Sequence, residues 1–165
     1  RGGAYPFNAA VSGQSPTSFA SRVPGGTDFN GLELWLEQVT AATGIQSVAV
    51  TYNNQDGVSH TTPVQSQGTA GIVGRMTQIP LYAGDSGIRG VTGVAGSVAS
   101  AGTFNILVLR PLAEIRITVA NMCEVQDLLK TGMPEVFADS ALFITVTADS
   151  TSTQIPYLSA DIVNG

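Results

Sequence analysis

The chain has 165 residues, of which 12% are charged and 43% hydrophobic, with a formal net charge of −5. An average soluble domain carries roughly 25% charged residues, so this chain has a charge-poor surface for its one-domain length. The chain has only seven basic residues, which argues against a nucleic-acid-binding protein, because such a protein needs a clustered basic face. The single cysteine, Cys123, excludes an internal disulfide framework, and no segment reaches the roughly 20 apolar residues of a membrane span.

Residues 1–28 predict an extended N-terminal arm. They contain Pro6, Pro16 and Pro24 and show no apolar periodicity, which is typical of chain without a packed element. The first residue is Arg1 rather than Met, so we expect the chain to be processed, trimmed or partial. The β-sandwich domain is then expected to span residues 29–165.

A helix is predicted at about 31–43. Apolar residues recur there at helical spacing, at Phe29, Leu32, Trp35, Leu36 and Val39. Asn30 and Glu33 have the spacing of a capping box, and Gly44 stands where a helix would end. We expect Trp35 to be buried on this helix.

A β-hairpin is predicted next. Val48, Val50 and Tyr52 alternate with smaller or polar residues, as in a half-buried strand. The turn at 53–57 contains Asp-Gly, which tolerates the positive φ that a hairpin needs. Val58–Val64 then forms the partner strand. Further strands are expected at 70–82, 88–95, 103–110, 114–120, 141–148 and 153–158, with turns at 84–87, 101–102 and 148–151.

These elements predict an all-β fold. A second short helix is expected at 122–130, where Asn121 and Glu124 repeat the capping-box spacing and Gly132 ends it. About eight short strands separated by turn signals favour an antiparallel β-sandwich or a jelly-roll-like barrel. Helices do not alternate with strands, which excludes a parallel α/β fold. The predicted fold therefore combines these strands with two short helices, at an open end or edge, and the N-terminal arm.

Gly-Asp-Ser-Gly at 84–87 matches the residues around the nucleophile of trypsin-like serine proteases. One interpretation is a triad of Ser86, His60 and an aspartate such as Asp56. However, Ile88 follows where those proteases have glycine, and His60 is too close to Ser86 in the chain for two barrels. We favour a glycine-flanked turn in which Asp85 caps its own backbone.

Other candidate sites are weaker. A Cys123–His60 dyad is possible chemistry, but a lone cysteine more often packs as a small hydrophobe. Asp139, Asp149 and Asp161 do not have the spacing of a calcium loop. His60 is expected on the outer face of its strand, in contact with a partner chain. We predict no catalytic residue, metal, cofactor or small-molecule substrate.

Glycine recurs at every third position, at Gly84, Gly87, Gly90, Gly93 and Gly96. After Ala99, Gly102 continues the same three-residue spacing. This spacing is required in triple-helical packing. The interpretation that we favour is a glycine-rich strand that another backbone approaches closely.

Three blocks of the chain resemble structural proteins of tailed-bacteriophage virions. They are LELWLEQVTAATGIQSVAVTYNNQDG at 32–57, IVGRMTQIPLYAGDSGIRGV at 72–91 and TFNILVLRPLAEI at 103–115. The resemblance implies a non-enzymatic decoration, cement or minor head protein at the capsid surface. It also implies the major capsid protein and copies of this chain, in a homo-oligomer, as partners.

Two other hypotheses remain open. One is a host-surface or glycan-binding module on a phage fibre or spike, which would use Tyr52, Tyr82 and Tyr157 at the loops. The other is an enzyme that depends on Ser86 or His60. The scarcity of long charged side chains favours the structural protein, because interface cores are depleted in Lys and Glu. An N-terminal arm could then lie over a neighbouring subunit.

Overall fold

The computed structural model describes residues 4–11, 19–67, 72–96, 101–116, 123–132 and 134–146. These residues form β-strands, two short 3-10 turns (Ala20–Arg22 and Pro24–Gly26) and one short helix, α1 (Leu128–Thr131). The strands are β1 (Tyr5–Pro6), β2 (Ala10–Val11), β3 (Glu33–Thr40), β4 (Gln46–Asn54), β5 (Ser59–Thr61), β6 (Gln65–Gln67), β7 (Met76–Ile79), β8 (Ile88–Gly96) and β9 (Thr103–Leu109). The all-β prediction is confirmed.

The strands pair antiparallel in two sheets. Sheet A has the order β1-β9-β3-β7, and sheet B has the order β2-β8-β4-β5, with β6 pairing to the first residues of β4. Alternate residues of β3 and β4 are buried, as the two-residue period of a strand requires. The alternation is interrupted in β8, whose pairing with β4 contains two register shifts. Both sheets contribute to one hydrophobic core, whose largest fully buried apolar side chains are Tyr52, Phe7, Phe104, Leu34, Leu36, Ile79, Ile88, Val23, Val48 and Val50.

The helix predicted at 31–43 is wrong, because these residues contain strand β3. Strand β3 pairs with β9 on one side and with β7 on the other. Leu34 and Leu36 face the core, and Trp35 between them lies on the outer face, opposite Leu107 of β9. Asn30, expected to cap the helix, instead forms an isolated bridge with Gly87.

The predicted hairpin is confirmed. Strand β4 is followed by a turn in which Gly57 has φ 84°, and β5 pairs back with Thr51–Asn53. The Asn54 side-chain oxygen accepts hydrogen bonds from the N–H groups of Asp56 and Val58, which closes the turn. The strands predicted at 88–95 and 103–110 are also confirmed, as β8 and β9.

The remaining predicted elements agree less well. Of the strand predicted at 70–82, only Met76–Ile79 is a strand among the described residues. The described residues 114–116 and 141–146 are not strands, and 153–158 lies outside the described residues. The helix predicted at 122–130 is reduced to α1, because residues 123–127 are not helical, while Gly132 follows the helix as expected.

The N-terminal arm predicted at 1–28 is not confirmed. Its described residues 4–11 and 19–28 contact both sheets: β1 pairs with β9, and β2 pairs with β8. Phe7 between them is fully buried, with its ring centroid 4.5 Å from that of Phe104. Val23 is also buried in the core. One short N-terminal segment therefore connects the two sheets across their common core.

The glycine repeat is explained by close backbone approach within the chain. A Cβ atom on Gly96 would lie 2.2 Å from the carbonyl oxygen of Phe7, and one on Gly87 would lie 1.9 Å from that of Phe29. Real Cβ atoms do not approach backbone oxygens so closely, so only glycine fits at both positions. The favoured interpretation is confirmed for these two glycines, and the approaching backbone belongs to the same chain.

Candidate functional site

A buried carboxylate organises one end of sheet B. The Asp85 side chain is 4% exposed and accepts three hydrogen bonds from neighbouring side chains. Its donors are the Tyr52 hydroxyl at 2.5 Å, the Asn54 side-chain amide at 2.8 Å and His60 Nδ1 at 2.8 Å. We call these four residues, Tyr52, Asn54, His60 and Asp85, the Asp85 cluster.

The hairpin places three members of the Asp85 cluster side by side. Tyr52 and Asn54 are two residues apart on β4, so their side chains lie on the same face. His60 of β5 is directly opposite Tyr52 in the register. The loop after β7 supplies Asp85, and it is fixed by a hydrogen bond from the Tyr82 N–H to the Tyr52 hydroxyl, 2.9 Å.

The pKa values of two members of the cluster, Asp85 and Tyr52, are shifted by their surroundings. Burial acts to raise the pKa of Asp85, but the hydrogen bonds from Asn54, Tyr52 and His60 lower it below its ordinary value of 3.8. Burial and the adjacent carboxylate raise the pKa of Tyr52 to about 12. Asp85 is therefore ionised and Tyr52 neutral at physiological pH.

His60 is the partly exposed member of the cluster, and its ring contacts the exposed Tyr82. Their ring centroids are 4.6 Å apart with an interplanar angle of 35°, and Tyr82 is 49% exposed. The same loop borders a shallow cleft of about 500 Å³ between the start of β3 and the end of β7. Gln78, Tyr82 and Ser86 are among its lining residues.

The structure does not assemble the serine-protease triad. His60 bonds to Asp85 rather than to Asp56. The Ser86 hydroxyl donates its hydrogen bond to the side chain of Asn30, 2.5 Å away, and its N–H donates to Gln55. A triad needs the histidine to accept the proton of the serine hydroxyl. A hydrogen bond from the Asp85 N–H to the Tyr82 carbonyl closes a turn at 82–85, which supports the interpretation as a turn. The expectation that Asp85 caps its own backbone is wrong, because its carboxylate accepts hydrogen bonds from Tyr52, Asn54 and His60.

The other sequence candidates are also separate. Cys123 is exposed, so the expectation of a packed cysteine is wrong. The Nδ1 atom of His60 bonds to Asp85. Asp139 pairs with Arg22 at 3.2 Å and accepts a hydrogen bond from Ser21, whereas Asp149 and Asp161 lie outside the described residues. Among the described residues no group of His, Cys, Asp and Glu side chains has the geometry of a metal site.

Of the three tyrosines expected at a host-binding surface, the structure describes two, and only one of these is exposed. Tyr52 is fully buried and Tyr82 is exposed, while Tyr157 lies outside the described residues.

Sequence reasoning missed Asp85 as the centre of the cluster. The hairpin register was one available signal, because the Asp-Gly turn places His60 near Tyr52.

A second surface feature is apolar. Residues 141–146, which we call the apolar segment, have the sequence Ala-Leu-Phe-Ile-Thr-Val and contain no charge. Leu142, Phe143, Ile144 and Val146 are 52–67% exposed. Consecutive exposed large hydrophobic residues commonly mark an interaction surface.

Comparison with protein-family models, with curated proteins and with solved structures found no match to this chain. Within the described part of the chain, no helix has the length and apolar character needed to cross a membrane. The geometry of the described residues therefore carries the functional argument.

Proposed function

We propose that this chain is a non-enzymatic structural protein of a bacteriophage particle, bound to the capsid surface or head through protein–protein contacts. The observation that carries the proposal is the exposed apolar segment in a chain with only 12% charged residues. Such a surface is costly in water and is favourable once another protein covers it.

The blocks that resemble virion proteins support the proposal. Block 32–57 includes β3 and β4, block 72–91 includes β7 and the start of β8, and block 103–115 includes β9. These strands form the body of both sheets. On this proposal the two sheets are the layers of a β-sandwich or of a jelly-roll-like barrel. The proposed partners are the major capsid protein and other copies of the chain.

The test is peptide mass spectrometry of density-purified particles from the source culture, with the copy number measured relative to the major coat protein. Hundreds of copies per particle would support a decoration or shell protein distributed over the capsid. A count of a few to a few tens would place it at a vertex, neck or fibre. Absence from particles would contradict the proposal.

A host-surface or glycan-binding module is the second candidate. The contact between the His60 and Tyr82 rings favours it, because Tyr82 is exposed and an exposed aromatic ring can stack on a sugar or a partner side chain. A glycan array screened with the wild-type protein and with Tyr82→Ala tests it. Binding that Tyr82→Ala abolishes would favour this candidate over the capsid role.

A further inference from the structure

The apolar segment has the sequence character of a β-strand but pairs with no strand among the described residues. Its residues include the β-branched Ile144, Thr145 and Val146, which favour strands. In an extended conformation Leu142, Ile144 and Val146 would lie on one side and Phe143 and Thr145 on the other. No residue of the segment belongs to a strand in the structure.

One side of strand β9 is only partly paired. Its side facing β3 is paired from Thr103 to Leu109. On its other side, β1 pairs only with Thr103 and Phe104, and the Ala4 N–H bonds to the Asn105 side chain. From Ile106 to Leu109, β9 has no neighbouring strand on that side among the described residues.

The composition of this edge matches the apolar segment. Proteins usually protect an open edge with charged residues or proline, and β9 contains neither, with the sequence Thr-Phe-Asn-Ile-Leu-Val-Leu. The edge strands β5 and β6 have the polar sequences Ser-His-Thr and Gln-Ser-Gln. An apolar strand therefore fits the β9 edge better than it fits the edge of sheet B formed by β5 and β6.

The two faces of sheet A also match. Ile106 points into the core, and Leu107 lies on the outer face opposite Trp35. A strand added beside β9 would place Leu142, Ile144 and Val146 along the edge of the core. Phe143 would then lie beside Leu107 on the outer face, where cross-strand pairs of apolar and aromatic residues are stabilising.

We propose that the apolar segment of one copy adds to the β9 edge of a second copy as a β-strand. Donor and acceptor are both present in every chain, and no described residue of the chain pairs as a strand with the donor or with the acceptor edge at 106–109, so a reciprocal exchange satisfies both. The residue Asp139, shortly before the segment, is held by Ser21 and Arg22 at the body of its own chain. The exchange does not depend on a role in a virion.

Sedimentation velocity on the full chain tests the self-association. Wild type is expected to sediment as a dimer or larger species. Ile144→Asp should weaken the association at least about tenfold, because it would place a charge in an apolar contact. The matched control is Val64→Asp, since Val64 and Ile144 are both 67% exposed, and it should behave as wild type. A monomeric wild type, or an unchanged Ile144→Asp assembly, would overturn the proposal.

A disulfide experiment identifies the edge and distinguishes exchange from pairing within one chain. In a Cys123→Ser background, one tagged chain carries Leu107→Cys and a differently tagged chain carries Phe143→Cys. Oxidation of the mixture should give the mixed disulfide, and replacing Leu107→Cys by Ser59→Cys on β5 should not. No mixed disulfide, or a chain with both cysteines that closes only on itself, would refute the exchange.

Discussion

His60 Nδ1 lies 2.8 Å from Asp85 Oδ2, although the two residues are 25 positions apart in the chain. The pair resembles the histidine and carboxylate of a hydrolase, but the hydroxyl of Ser86, next to Asp85, donates its hydrogen bond to the Asn30 side-chain oxygen. Because Tyr52 and Asn54 also donate to Asp85, the pair joins the β4–β5 hairpin to the loop that carries Tyr82. In this fold the pair connects that loop to the hairpin.

Asp85→Asn should destabilise the domain by about 2–4 kcal/mol. Asparagine has one acceptor oxygen, and its amide would face the donors of Tyr52, Asn54 and His60. Urea unfolding followed by circular dichroism measures the change. Asp56→Asn, at the exposed hairpin turn, is the control and should change stability by less than about 0.5 kcal/mol. Equal effects of the two variants would contradict a central role for Asp85.

The free energy of unfolding should fall in acid partly through Asp85. Its pKa in the folded chain is below the ordinary 3.8, so ionised Asp85 stabilises the fold above that pH. This stability is lost as the pH falls below 3.8 and through the folded-state pKa. The difference between wild type and Asp85→Asn should therefore shrink below pH 3.8. A difference that is constant between pH 3 and pH 6 would contradict this assignment.

Tyr52 should make the fold sensitive to alkali. Its pKa is raised from 10.0 to about 12, so its contribution to stability is complete below pH 10 and is lost as the pH rises toward 12. Tyr52→Phe should cost about 1–3 kcal/mol at pH 7, because Asp85 and the Tyr82 N–H lose a partner. Denaturant unfolding at several alkaline pH values should then show a weaker pH dependence for Tyr52→Phe than for wild type.

Strand β3 shows how far local sequence pattern could determine the fold. The segment contains apolar residues at both helical and strand spacing, because Leu34, Trp35 and Leu36 are consecutive. The segment forms a strand rather than a helix because β7 and β9, which are distant in sequence, pair with its two sides. The β4–β5 hairpin was predictable because its turn chemistry and its pairing are both local.

The Asp85 cluster lay beyond prediction for a related reason. The donors to Asp85 are 33, 31 and 25 residues away, so the contacts of its carboxylate are not local in sequence. Gly-Asp-Ser-Gly indicated a turn, which the structure has at 82–85, but not the side-chain partners of Asp85.

Trp35→Ala should destabilise the domain by no more than about 2 kcal/mol, because Trp35 lies on the outer face of sheet A. Its indole N–H bonds to Glu33 at 2.9 Å rather than to a core group. Leu36→Ala is the comparison, since Leu36 is buried and should cost about 2–5 kcal/mol. Thermal unfolding of both variants measures the ranking, and a larger loss for Trp35→Ala would place the indole in the core.

Gly96→Ala should displace the N-terminal segment from sheet B. The new methyl group would lie 2.2 Å from the carbonyl oxygen of Phe7, so backbone must move, at a cost of about 1–3 kcal/mol. Gly93→Ala is the matched control on β8, because its nearest atom would be the Thr51 Cβ at an ordinary 3.5 Å. Hydrogen exchange should show faster exchange at residues 5–11 in Gly96→Ala and wild-type rates in Gly93→Ala. Equal protection of these residues in both variants would show that the segment does not depend on a glycine at position 96.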